Sequence, residues 1–316
     1  MLHKWPLRRV CALLLITAAL FRLAAETPRA SAGELAADAL LLLGFGNTGQ
    51  APEEPSEAPT ARDYPLLAYA PRADEPLFTP EDADELEIDN VAGADFDTAA
   101  LLTATLDFDN SGTGPKILIV HTHATEAYAD TPDYRTEDTS QNVVQVGQAL
   151  TDALNALGIE TLHHTGLNDL AGYNGAYERM ELTINDYLAR YPSICMVIDL
   201  HRDAALDADG NQVALRTELA GQSAARLLLV MGSDVGGLPH PDWQDNLALA
   251  LKLQCLGGQT APGLFRPLNL RAQRYNQHLC PNSLLLEVGA AGNSLEEALR
   301  SAEFFAQLLA AVVENG

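Results

Sequence analysis

Four β-prone apolar residues, Ile117-Leu118-Ile119-Val120, are launched by Gly114-Pro115 and run directly into His121-Thr122-His123-Ala124-Thr125-Glu126. An unbroken apolar stretch of this kind reads as a strand buried on both faces of a parallel sheet, since a strand with one wet face would alternate. The construction recurs twice. Cys195 to Leu200 ends in His201-Arg202-Asp203, and Ser283 to Leu286 ends in Glu287-Val288-Gly289. Open α/β sheets bind ligands beyond the carboxyl ends of their strands, where the outgoing loops splay apart. Three parallel strands with these tips would bring three histidines and two glutamates to one crevice.

Helical patterns separate the strands. Asn142 is placed to cap a helix carrying Val143, Val146, Leu150, Leu154 and Leu157 at 3.6-residue spacing, with Gly158 closing it. A short strand at 159–163 follows, then a helix over 177–189 whose register points Leu182 and Leu188 inward. Further on come an apolar strand at 227–231, a helix over 243–255, and a terminal helix from Ser294 to about Val313. Ser294 and Glu297 have the spacing of a capping box. This alternation predicts an α/β fold, a mainly parallel sheet with helices on both faces.

The beginning of the chain is different in kind. A basic stretch, Met1 to Arg9, precedes a mostly apolar run from Val10 to Phe21, and Ala30-Ser31-Ala32 is an A-x-A cleavage pattern. The run is short for a membrane span but suits a secretory segment, while Arg22 is compatible with an uncleaved anchor because it can snorkel. Residues 1–32 are therefore expected to be a signal peptide or membrane anchor, which places the rest outside the cytoplasm. Between Ala51 and Asp97 fourteen Asp and Glu face only Arg62 and Arg72, a net of −12 and half of the whole chain's −24. Seven of the 17 prolines fall there too. Such a segment buries too little apolar surface to offset chain entropy and is expected to be a disordered acidic Pro-rich linker. The predicted division is 33–111 as juxtamembrane segment and linker, and 112–316 as a catalytic domain. The acidic excess argues against nucleic-acid binding, which needs a basic face. Of the cysteines beyond the export segment, Cys195 reads as a small core hydrophobe, and at most one disulfide, Cys255 to Cys280, is available.

His123, Glu126 three residues later, and His201 from a second strand tip form a two-imidazole, one-carboxylate donor set. Three protein ligands with a fourth position for water describe a catalytic rather than a structural zinc site. Zinc lowers the pKa of bound water to about 7, and Glu287 from the third tip is placed to act as general base. Asp199 is expected to orient a ligand from behind. Arg202 is either an anchor for a substrate carboxylate or the partner of Asp203. A single histidine at a strand end is more often a hydrogen-bonded loop residue, and His163, His164 and His240 are read that way. The pair His278 and Cys280, beside Pro281, reads as packing at a strand entry. Convergence of three tips is what packing alone does not explain. No G-x-S-x-G elbow or Walker loop occurs, so serine-hydrolase and P-loop nucleotide chemistry lack support.

From about Lys116 to Glu314 the chain resembles the stage II sporulation protein P family, relatives of zinc-dependent N-acetylmuramoyl-L-alanine amidases. The resemblance rests on the stretch 117–128, on Asn-Val-Val-Gln-Val-Gly at 142–147, and on Tyr191 through Ala204. Arg-Tyr-Asn-Gln at 274–277 and Leu-Leu-Leu-Glu-Val-Gly at 284–289 complete it. It implies an amidase-like fold, Zn2+ as cofactor, and cleavage between N-acetylmuramic acid and L-alanine of the peptidoglycan stem, with a possible endopeptidase activity on cross-links. It places His123 and His201 as metal ligands and Glu287 as base, with Arg202 beside them. The acidic ligand is Glu126 or, by analogy with wider amidases, Glu137 or Asp138. It also implies sporulation engulfment as the setting, with peptidoglycan, a lytic transglycosylase and other engulfment proteins as partners and the membrane reached through the N-terminal segment. A non-catalytic wall-binding regulator on the same fold, and another zinc peptidase or deacetylase, are the alternatives.

Overall fold

The computed structural model describes residues 76–315. The predicted export segment and the first part of the acidic tail lie outside the described residues. Among the described residues the nine strands are β1 (Ile88–Asn90), β2 (Ile117–Val120), β3 (Thr161–His163), β4 (Met196–Asp203), β5 (Arg216–Leu219), β6 (Gln222–Ala225), β7 (Leu227–Met231), β8 (Leu268–Leu270) and β9 (Leu284–Ala290). The helices are α1 (Thr98–Thr103), α2 (Val143–Ala156), α3 (Ala176–Arg190), α4 (Trp243–Thr260) and α5 (Leu295–Asn315).

Seven strands form one sheet in the order β1-β8-β7-β9-β4-β2-β3, and β5 and β6 form a separate antiparallel hairpin. Every neighbouring pair in the sheet is parallel except β7 with β9. The sheet is thus mainly parallel, as expected, but consists of two parallel halves that run in opposite directions and meet at the β7–β9 seam. In the β3-β2-β4-β9 half the carboxyl ends of β2, β4 and β9 point the same way. His201 and Glu287 are direct register partners across β4 and β9.

The apolar runs divide by face. Ile117, Ile119, Ile198, Leu284 and Leu286 join the larger core with residues of α1, α2, α4 and α5, whereas Leu118, Val120 and Val197 pack on Met180 and Ile184 of α3. Helices therefore cover both faces. Phe304 and Phe305 of α5 are fully buried, each contributing roughly 2–3 kcal/mol of apolar burial. The caps follow the sequence pattern. Asn142 accepts from Val144 N at 2.9 Å, and Ser294 and Glu297 make the reciprocal bonds of a capping box. Burial opposes the charge of Glu297, but bonds from Asn293, Arg216 and Ser223 outweigh it and hold the carboxyl down at about 2.

Two expectations are corrected, and two points left open are settled. The ordered fold does not begin at 112: a 3-10 turn at Pro80–Glu85, β1 and α1 precede that point, β1 pairs with β8, and Leu77, Phe78 and Leu102 are buried. Acidic composition misled because the few apolar residues there are spaced to pack, while the carboxylates stay outside. Leu182 is 72% exposed, and α3 turns Met180 and Ile184 inward, one i, i+4 stripe displaced from the one predicted. The 227–231 strand runs antiparallel to β9. Cys195, Cys255 and Cys280 are free thiols, so the 255–280 bridge is not formed. Among the described residues no helix is long and apolar enough to cross a membrane.

Candidate active site

β2 ends at Val120, and the chain beyond it makes turns rather than continuing extended, so His121 and His123 separate. His121 is fully buried. Its Nδ1 donates to the Leu200 carbonyl at 2.8 Å, which leaves Nε2 to accept from His163 Nε2, also at 2.8 Å. Burial, then the neighbouring His163, pushes His121 down to about 3, so it is a neutral structural residue bridging three strands. His163, read as a loop histidine, is its partner.

His123 faces the other way, toward His201, with ring centroids 5.6 Å apart. Its Nδ1 is buried and has no hydrogen-bond partner. His201 lies between two carboxylates. Glu126 Oε2 is 3.4 Å from its Nδ1, and Asp199 Oδ1 is 2.9 Å from its Nε2, a charge contact outside good hydrogen-bond direction. Burial disfavours the imidazolium, but Asp199 and then Glu126 overcome it and hold His201 well above the usual histidine range. Asp199 is itself fixed by Thr122, whose backbone N and Oγ1 donate to it at 2.8 and 2.6 Å. Glu126, though buried, stays below the usual carboxylate range because His201 and Arg202 favour its charge.

Glu287 sits beside His201 on the next strand. Its Oε2 is buried without a partner, and burial pushes the carboxyl up to about 8, against the pull of His201. Arg202 does neither of the things expected of it. It is 7% exposed, donates from Nε to Ala127 O and from Nη2 to Tyr134 O, each at 3.0 Å, and stands 3.7 Å from Glu126. Asp203 pairs with Arg266 instead. Arg202 thus clamps the loop carrying Glu126 and is too enclosed to grip a substrate. Glu137 and Asp138 are exposed, and Asp138 is engaged by Ser140 and Gln141, so of the three acidic candidates only Glu126 reaches the cluster.

Five residues beyond the predicted set border this cluster. Asp169 accepts from Thr125 N at 3.1 Å and Thr125 Oγ1 at 2.6 Å, and pairs with Arg135 at 3.0 Å. Tyr173 stacks on His123, Tyr177 meets His123 edge-on, and Tyr275 lies against Tyr177. Tyr275 and Asn276 both adopt positive φ, and Asn276 Nδ2 donates to Tyr177 O at 2.8 Å. Tyr275 and Asn276 fall within a stretch that the family resemblance marks; the other loop residues carry no periodic signal.

Among the described residues no three His, Cys, Asp or Glu side chains already stand around one point as a ligand shell. In kind, however, the donors suit zinc. Bonds of 2.0–2.1 Å at a tetrahedral angle put two ligand atoms about 3.3 Å apart. The 3.4 Å between Glu126 Oε2 and His201 Nδ1 matches that edge, with Asp199 behind the other nitrogen in the place of an orienting carboxylate. His123 Nδ1 adds an uncommitted buried nitrogen.

A family model described as Stage II sporulation protein P (SpoIIP) matches residues 54–310. The Stage II sporulation protein P of Bacillus subtilis (strain 168) is 29% identical over 212 residues, covering 60% of this chain and 49% of the relative. The chain spans about half the length of that curated relative. Among solved structures it is similar to the N-acetylmuramyl-L-alanine amidase Ami1 from Mycobacterium smegmatis, with TM-score 0.41 and 15% identity over 64% of this chain and 98% of that one. It is also similar to the CwlD amidase from Clostridioides difficile, solved in complex with the GerS lipoprotein, with TM-score 0.40 and 15% identity over 63% and 95% of the two chains.

Proposed function

The chain belongs to the stage II sporulation protein P family, and on that premise we propose that it is a peptidoglycan hydrolase of sporulation, more narrowly a zinc-dependent N-acetylmuramoyl-L-alanine amidase acting outside the cytoplasm. The observation that carries the reading is the meeting of His123, Glu126, His201 and Glu287 at the ends of β2, β4 and β9. His123, Glu126 and His201 would hold the ion. Zinc bound there would supply Lewis acidity for the scissile amide carbonyl and make water at the site more acidic.

The chain's own residues do the rest. Glu287, a buried carboxyl whose Oε2 has no partner, would take a proton from the attacking water at that oxygen and return it to the departing L-alanine nitrogen. Asp199, pinned by both donors of Thr122, holds the His201 ring and favours its Nδ1 side facing Glu126. Arg202 fixes the Glu126 loop from below through the carbonyls of Ala127 and Tyr134. The family setting adds the remaining proposals: action during engulfment, beside a lytic transglycosylase and other engulfment proteins, on a wall reached from a membrane-anchored or secreted position.

The test is digestion of purified sacculi by the zinc-loaded protein, followed by separation of the products. Free stem peptides with L-alanine amino termini and peptide-free glycan are expected. Shortened stems would make it an endopeptidase, and deacetylated glycan with intact stems a deacetylase. Retained wall binding with no product would make it a wall-binding regulator.

A further inference from the structure

Metal-ligating histidines are generally oriented by a hydrogen bond to the nitrogen that does not bind the ion. His201 has the Asp199 carboxylate 2.9 Å from its Nε2, a charge contact, whereas among the described residues the His123 ring makes no hydrogen bond and its Nδ1 is buried and uncommitted. Two tyrosines bound the His123 ring instead. Tyr173 lies flat against it, with centroids 4.0 Å apart and planes 3° from parallel, and Tyr177 approaches edge-on at 5.8 Å and 88°. A stacked ring restrains tilt and a perpendicular ring restrains sliding, so the pair defines the imidazole plane without a hydrogen bond.

Tyr173 is 59% exposed, an unusual place for a large aromatic ring unless something other than core packing holds it. What holds it is a set of bonds between its loop and the two residues flanking His123. Asn168 Nδ2 donates to Thr122 O at 3.0 Å, and Asp169 accepts from both Thr125 N and Thr125 Oγ1. Arg179 ties the loop from the α3 side, donating to Asn168 O at 3.0 Å and to Gly172 O. The guanidinium of Arg135, paired with Asp169, stands 5.4 Å from the Tyr173 ring centroid. The loop and the His123 turn therefore move as one body.

We infer that Tyr173 is a positioning residue for His123, setting the ring plane for metal binding by stacking. The inference rests on the zinc reading above. Its test measures zinc affinity of the full chain by competition with a chromophoric chelator, and the visible spectrum of the cobalt-substituted protein, for Tyr173→Phe, Tyr173→Ala and Asp169→Asn. Thermal melting of each variant serves as a folding control. Tyr173→Phe keeps the stacked ring and should match the native protein in both readouts. Tyr173→Ala should weaken zinc by roughly three- to tenfold, the scale of one aromatic pair, and alter the cobalt spectrum with the melting point nearly unchanged. Asp169→Asn should move both readouts the same way to a smaller extent. Native affinity and spectrum in Tyr173→Ala would overturn the inference, as would an effect confined to KM, which would make Tyr173 a substrate contact. Failure of the native chain to bind zinc would sink the zinc reading itself, a separate outcome.

Discussion

Lys252 Nζ donates to the Leu102 carbonyl across 2.6 Å, linking α4 to α1 through a lysine that is only 2% exposed. The ammonium also lies 4.7 Å from the centroid of Phe78. A buried cation satisfied by a segment rich in acid and proline shows that this segment is part of the domain.

Removing that segment should therefore be costly. A fragment beginning at Gly112 loses β1, α1 and the buried Leu77, Phe78 and Leu102, and strips Lys252 of its acceptor. At roughly 1.5–3 kcal/mol per buried side chain, the loss relative to a fragment beginning at Pro76 should exceed about 5 kcal/mol. Urea denaturation of the two fragments measures it, and equal midpoints would show that the segment only rests on the surface.

Lys252 also predicts a pH dependence. Burial lowers its pKa from 10.5 to about 8, so between those values the unfolded chain binds more protons than the folded one. Its own contribution to stability should then rise with pH through that window and be flat below it, by up to about 3 kcal/mol, opposed above pH 9 by the buried thiols of Cys255 and Cys280, which are pushed up to about 12. The difference in denaturation midpoint between the native protein and Lys252→Met isolates it and should grow in favour of the native protein from pH 8 to 10. A difference that does not change with pH would mean that the Leu102 carbonyl fully offsets desolvation.

Ligands and base should separate experimentally. His123→Ala and His201→Ala are expected to lose both zinc and turnover. Glu287→Gln should keep zinc and lose about a hundredfold or more in rate, since a proton carrier is not needed to hold the ion. Glu126→Ala should weaken zinc binding and Asp138→Ala should not. Loss of zinc from Glu287→Gln, by metal analysis after gel filtration, would move that residue into the ligand set.

Gly147 faces the His121–His163 pair across the α2–β2 contact. A Cβ there would lie 2.5 Å from His121 Nε2 and 2.8 Å from His163 Nε2, both atoms held by their own hydrogen bond. Gly147→Ala should destabilise by about 1–3 kcal/mol despite the better helix propensity of alanine. A melting point at or above that of the native protein would show that the pair can be displaced freely.

The long apolar runs and the capped helices were legible because burial on both faces and helical spacing leave direct marks on residue order. The strand tips were visible in the same way: His201 and Glu287 directly follow Leu200 and Leu286, and His123 and Glu126 stand three and six residues beyond Val120. β1 and β8 were not, being three-residue strands too short to show a pattern. The direction of β7 was hidden too, because the chain reverses through the β5–β6 hairpin, and alternation of elements says nothing about such an insertion. Arg202 was misread because a charged residue after a strand looks available until its carbonyl partners are known. Tyr173 and Asp169 act through contacts between loops, which no spacing encodes.

The pairing of Ile88 with Leu268 sets the order in which the sheet can be completed. β1 is made early but has no partner until β8 has emerged near the other end of the chain, and such distant pairings form slowly because a long loop must first close. β1 stays unpaired until then, and the acidic residues around it discourage it from pairing meanwhile with a strand of a neighbouring molecule. The charge that makes this stretch look like a tether thus also protects the last joint of the sheet while the chain is being assembled.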